Sequence, residues 1–158
     1  MNMSMHIQWL AGGLALTLAG CSGGQPPVGP AVSDGQLSPC PTSPNCVSSQ
    51  ATDPAQRIEP LTYPGEATAA QATLLAVLNH MERVRIVQSD PRLIHAEFRS
   101  AGFGFVDDVT FLFSPPGMIQ MRSASRSGYY DFGVNRERAA TIRARFAAAL
   151  AMPNPLIN

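Results

Sequence analysis

Apolar side chains recur at spacings of three and four along two stretches of the chain. In residues 67–82 they are Ala67, Ala70, Leu74, Leu78 and Met81, which predicts an amphipathic helix, with Thr68-x-x-Gln71 as a capping box. From about Asn135 to Ala151 the stripe is Ala139, Ile142, Phe146 and Leu150, with Asn135 as the expected N-cap and Pro153 and Pro155 ending the helix. Between these stretches the period changes to two. Val84 and Ile86 predict a short strand, and Ser89-Asp90-Pro91 a turn. Ile94, Ala96 and Phe98 alternate with His95, Glu97 and Arg99. After a Gly-Phe loop, Val109, Phe111 and Phe113 alternate with Asp108, Thr110 and Leu112. Pro115-Pro116-Gly117 forces a reversal, Met118–Arg126 returns as a strand, and residues 127–134 form a Gly-bearing loop. The order α-β-β-β-β-α with short loops predicts an α+β fold, a four-stranded antiparallel meander with two helices packed on one face.

The proline turn allows a test of register, which favours a three-residue loop or another of odd length. A three-residue loop pairs Phe113 with Ile119, Phe111 with Met121, Val109 with Ser123 and Asp107 with Ser125. A two-residue loop sets Phe111 opposite Arg122, and such a slip spoils a whole face. In the preferred register Asp107 and Asp108 point to opposite faces, so they do not form a paired-carboxylate dyad. Asp108 lies diagonal to Arg122 and Arg126 on the non-core face, an expected exposed ion-pair cluster. Asp107 ends the core face near Ser125, placed to accept hydrogen bonds from the following loop.

The N-terminal region reads as processing signal rather than fold. Ile7–Ala19 is an almost unbroken apolar run, shorter than the about 20 residues of a membrane span and suited to a signal peptide. Its departure from that pattern is the absence of Arg or Lys before it. It ends in Leu18-Ala19-Gly20-Cys21, which resembles the bacterial lipobox, whose cysteine is lipidated and becomes the new N-terminus. The expected organisation is a lipoprotein signal peptide over 1–20, then a lipidated Cys21 and a tether to residue 56. An α+β domain over 57–151 and a C-terminal tail over 152–158 follow. Residues 22–56 are rich in Pro, Gly and Ser, a composition that stays extended. Stable anchoring takes two acyl chains or more. Ser22, rather than an Asp, leans the expected location to the outer membrane facing the periplasm over the inner membrane.

With Cys21 consumed by lipid, Cys40 and Cys46 remain, an even number in an oxidising compartment. The pair reads as a disulfide closing a small loop, with free thiols as the alternative. A metal site lacks further ligands, since His80 and His95 are far along the chain, and none is expected.

Composition narrows the chemistry. The chain has 158 residues, 45% hydrophobic and 14% charged, with 11 basic residues against 11 acidic ones. This balance speaks against a nucleic-acid partner. Every basic residue is Arg. The lack of Lys in this chain excludes Schiff-base chemistry, a P-loop lysine and a Ser-x-x-Lys nucleophile from it. No cofactor is implied.

The loop from Arg126 to Arg136 joins a strand to a helix start. Gly128 and Gly133 permit tight backbone geometry, and the helix start offers free N–H groups. Convergence there of Arg122, Arg126 and Arg136 would suit a phosphate or carboxylate. Asp131, Asn135, Asp107, Asp108, Ser123 and Ser125 complete this candidate ligand site. The structural alternative has Asp131 and Asp108 neutralising the arginines while Asn135 caps the helix. Nucleophilic catalysis by Ser123 or Ser125 would need His95 as base, and no Gly-x-Ser-x-Gly elbow is present. The expectation for His95 is a solvent-facing strand residue, and for His80 a helix flank. Tyr129 and Tyr130 read as packing across a loop or lining a pocket. Phe103 and Phe105 read as core, with a membrane or partner contact as the alternative.

Three segments together resemble domain of unknown function family 1499: Pro44-Asn45-Cys46-Val47-Ser48-Ser49, Phe105-Val106-Asp107-Asp108-Val109, and Arg122-Ser123-Ala124-Ser125-Arg126-x-Gly128-Tyr129-x-Asp131-x-Gly133-Val134-Asn135-Arg136. The resemblance runs from about Cys40 to Phe146. It implies a bacterial envelope protein, often lipidated or membrane-tethered, with relatives in plastids, and implies no activity, substrate or cofactor. The leading expectation is a non-enzymatic, lipid-anchored envelope module that binds an envelope protein or a small anion. The alternatives are a small hydrolase or transferase acting on an envelope substrate, and a purely structural accessory.

Overall fold

The computed structural model describes residues 30–152. The signal segment, Cys21, the first part of the tether and residues 153–158 lie outside the described residues. Two short strands, β1 (Val32–Ser33) and β2 (Gln36–Leu37), form a hairpin. Next come β3 (Cys46–Ser48), β4 (Leu61–Thr62) and helix α1 (Ala67–Asn79). The meander follows as β5 (Val84–Asp90), β6 (Leu93–Arg99), β7 (Val106–Phe113) and β8 (Met118–Ser125), and helix α2 (Val134–Ala151) closes the order. All meander pairings are antiparallel, so the α+β meander with a helix before and a helix after is the observed fold.

The β7–β8 register is the one the proline turn predicts: Phe113 opposite Ile119, Phe111 opposite Met121, Val109 opposite Ser123, Asp107 opposite Ser125. Ile94, Ala96, Phe98, Val109, Phe111, Phe113, Ile119 and Met121 form one face, against which both helices pack through Ala70, Leu74, Leu78, Ala139, Ile142 and Phe146. Burying such side chains contributes about 1.5–3 kcal/mol each for the larger ones. The helix starts differ from expectation. Glu66 caps α1 without a side-chain bond, and Gln71, assigned to a capping box, donates instead to the Asp90 carbonyl.

The segment composed like a tether is folded from residue 30 onward. β3 pairs antiparallel with β8, and β4 extends that edge, so the sheet has six strands rather than four. Val47, Ile58, Leu61 and Tyr63 enter the core. Before them, the β1–β2 hairpin lies across the other face of the sheet: the Ala31 N–H donates to Thr110 Oγ1 at 3.4 Å, and Leu37 is buried. Proline and glycine content marked this stretch as an extended tether that buries no core. It takes a place on one that the meander supplies. Cys40 and Cys46 are disulfide-bonded, with Cα atoms 5.7 Å apart, closing the loop that leads into β3.

Candidate functional site

Because the hairpin covers the second face, residues that alternation assigned to solvent are enclosed. His95, expected to face solvent, is fully buried, and its Nε2 lies 2.8 Å from Asp108 Oδ1. Arg126 donates from Nε to Asp108 Oδ2 and from Nη2 to Asp108 Oδ1, both at 2.7 Å, and Nη2 also reaches Glu97 Oε1 at 2.6 Å. Arg85 closes on Glu97 from the edge strand at 2.8 Å. The expected exposed cluster is therefore an internal one: the Arg126, Glu97 and Asp108 side chains are 3%, 1% and 9% exposed. Burial pushes Glu97 and Asp108 up, and the guanidinium hydrogen bonds and charges outweigh it, holding both carboxyls below the usual range. Arg126 is raised further above its ordinary value, mainly by its bonds to Asp108. Arg122 makes no hydrogen bond to Asp108 and is lowered by burial, which the charge of Asp108 partly offsets.

A second polar system sits on the core face under the start of α2. Asp107 accepts from Arg138 of α2, not from the 126–133 loop. Asn135, assigned as N-cap, is wholly buried inside the first turn. Its Nδ2 donates to the Asn45 carbonyl, Ser125 Oγ and Asp131 Oδ2, and its Oδ1 accepts from Ser123 Oγ and Arg138. Asp131 does the capping: its carboxylate accepts the N–H groups of Gly133 at 3.0 Å and Asn135 at 2.9 Å. Burial pushes Asp131 up, but these donors win and its carboxyl is lowered.

The predicted convergence of arginines on the helix start does not occur. Arg122 and Arg126 project from the opposite face, and only Arg136 lies near the α2 N-terminus, where Asp131 already holds the N–H groups. Arg136 donates to the carbonyls of Arg57 at 2.9 Å and Ala55 at 2.6 Å. The catalytic arrangement considered for Ser123 and Ser125 is separated in the same way. His95 lies across the sheet from both serines and from Asp107, and the Ser123 hydroxyl is committed to Asn135.

The aromatic residues supply what the charged ones do not. Tyr129 and Tyr130 are exposed, with ring centroids 5.7 Å apart, and Phe132, which sequence reasoning passed over, is 93% exposed. Its backbone is left-handed, φ 55°, followed by Gly133 at φ 83°. A bulky side chain pays for such a conformation in strain, and the Asp131 carboxylate bound to Gly133 and Asn135 holds it there. Tyr130, Asp131, Phe132, Gly133 and Arg136 wall a cleft of about 470 Å³ with Pro44, Val47 and Ala55 on the far side. Phe103 and Phe105, expected in the core, stack on each other in the exposed β6–β7 loop. That loop and the 126–133 loop leave the same end of the sheet.

No curated protein matches the chain in sequence. The family model for proteins of unknown function designated DUF1499 matches residues 36–146, which takes in β2 through most of α2, the buried Asn135 system and the aromatic cleft, and the chain belongs to that family.

Proposed function

We propose that the protein is a binding module of the bacterial cell envelope, tethered by acyl chains on Cys21 and facing the periplasm from the outer membrane, with the cleft beneath Tyr130 and Phe132 as its binding surface. The anchor is supported by the Leu18-Ala19-Gly20-Cys21 sequence, and one observation carries the binding surface. Aromatic rings stand out in solvent around an apolar cleft, on a loop held from beneath by the bonds of Asp131 and Asn135. The rings pack loosely on one another and stay mostly in solvent, and pre-placed aromatic side chains bind at low entropic cost. The occupant is an envelope protein or a small anionic ligand.

Two experiments test the two halves. An alkyne fatty acid fed to cells labels the wild-type chain and not Cys21→Ser; equal labelling of both removes the anchor. A photo-crosslinking phenylalanine analogue at position 132 gives a discrete, saturable adduct in intact envelope, lost in Tyr130→Ser and absent when the probe replaces the exposed Ala148. The same adducts from both positions, or none from position 132, overturn the cleft.

A further inference from the structure

Beside the aromatic cleft lies a second groove, of about 290 Å³, lined by Arg57, Ile58, Glu59, Arg136, Ala140 and Arg143. Arg136, Ala140 and Arg143 share a face of α2 by their spacing, and the small Ala140 leaves that face open. The chain at 55–59 runs along it. Each guanidinium is held by backbone carbonyls: Arg136 by Ala55 and Arg57, Arg143 by Glu59 at 2.7 Å, and Arg57 by Ala51 at 3.3 Å. Carbonyl oxygens orient a guanidinium without neutralising it. Among the described residues the ion pairs fall on Arg83, Arg85, Arg99, Arg126 and Arg138, and none on these three. Arg143 Nε is shut off from solvent with no partner among the described residues, and the acids of the two lined regions are Glu59 in the groove and Asp131 in the cleft, the latter already taken by the N–H groups of Gly133 and Asn135. Arg136 belongs to both walls, so its charge stands where the apolar cleft meets the cationic groove.

We infer that the joined surface binds a small acidic amphiphile, its phosphate or carboxylate head on Arg57, Arg136 and Arg143 and its apolar body under Tyr130 and Phe132. The inference rests on the cleft being the binding surface proposed above and names the ligand class that fits it. Guanidinium forks match the oxygens of either head group, and the groups are pre-placed. A bare anion gains only the head interaction, and a neutral alcohol only the apolar one.

The full chain in zwitterionic nanodiscs is titrated calorimetrically with hexyl phosphate, hexanoate, hexanol and inorganic phosphate, with the heats into empty discs subtracted. One acidic amphiphile binds saturably at one site, about tenfold or more tighter than hexanol and inorganic phosphate. The tighter of hexyl phosphate and hexanoate identifies the head group. Arg57→Gln and Arg143→Gln each weaken it about fivefold and leave hexanol unchanged, while Arg143→Lys retains more affinity than Arg143→Gln. Equal affinity for hexanol and both acids overturns the acidic head and leaves the cleft standing. No saturable binding of any probe overturns the inference. If the position 132 adduct persists in that case, the binding-surface reading survives, and if it too is absent, both fall.

Discussion

Arg126 and Asp108 face each other fork to fork across β7 and β8, with two hydrogen bonds of 2.7 Å between them, and the same guanidinium reaches Glu97 on β6. The three side chains are enclosed, so their charges depend on one another rather than on water. Removing the cation leaves buried Asp108 with His95 alone and buried Glu97 with only the exposed Arg85 and Arg99. Arg126→Met therefore destabilises the fold by about 3–5 kcal/mol, read as a lower urea midpoint. Arg126→Lys keeps the charge without the fork and falls between wild type and Met. A midpoint unchanged in Arg126→Met shows the cluster to be dispensable.

Acid weakens the same cluster. Glu97, Asp108 and Asp131 all have carboxyls lowered in the folded protein, by Arg85 and Arg126, by Arg126 and His95, and by the N–H groups of Gly133 and Asn135, each against the opposing effect of burial. A carboxyl lowered on folding contributes stability that is complete above its unfolded pKa, about 4, and is lost as pH falls through the folded value. Urea midpoints are thus expected to hold between about pH 7 and pH 5 and to drop below about pH 4. The drop is shallower in Glu97→Gln/Asp108→Asn, which starts from lower stability. A midpoint that rises on acidification contradicts the assignment.

Asn135 joins β8, α2, the turn before β3 and the 126–133 loop through one amide. Asn135→Ala leaves the Asn45 carbonyl with only the Ser125 N–H and the Ser123 hydroxyl with only Arg138, and takes a donor from half-buried Ser125, at a cost of about 1–3 kcal/mol. Asp131→Ala removes the helix cap and costs about 1–2 kcal/mol. The two share a hydrogen bond, so the double variant costs less than the sum of the singles. Either variant releases the 129–133 loop, which limited proteolysis detects as cleavage beside Tyr129, Tyr130 or Phe132. Additive losses, or a loop that stays resistant, separate Asn135 from the cleft.

What could be read from the chain, and what could not, divides along a physical line. The β7–β8 register and the opposite faces of Asp107 and Asp108 were legible because a proline turn and strict alternation are local constraints. Both helical stripes were legible for the same reason. The burial of His95 was not. Alternation says which residues share a face, but only tertiary structure says whether a face is wet, and the cover here is a hairpin some 60 residues earlier whose composition resembled tether. The expected convergence of arginines fails likewise: Arg122 and Arg126 are close to Arg136 in sequence, yet strand alternation sends them to the other side of the sheet. The partnership of Arg136 with Arg143 was available from helical spacing. That of either with Arg57 needed the fold. Phe132 carried no periodic signal at all, being an irregular-loop residue with a left-handed backbone.

The disulfide supports the entry to β3. Cys46 pairs with Ala124 on β8, Asn45 beside it serves the Asn135 system, and Pro44, inside the closed loop, forms one wall of the aromatic cleft. Constraining so short a loop in the unfolded chain stabilises the fold by about 2 kcal/mol. Reduction with dithiothreitol, or Cys40→Ser/Cys46→Ala, is expected to lower the unfolding free energy read from urea titration by that amount and to loosen Pro44. Loosening one wall spoils the cleft without touching Tyr130 or Phe132. The position 132 adduct then weakens under reducing conditions in a chain that stays folded by circular dichroism. The six-strand sheet persists, because β3 keeps its hydrogen bonds to β8 and Val47 its place in the core. An oxidised and a reduced chain of equal stability and equal adduct yield refute this role for the bridge.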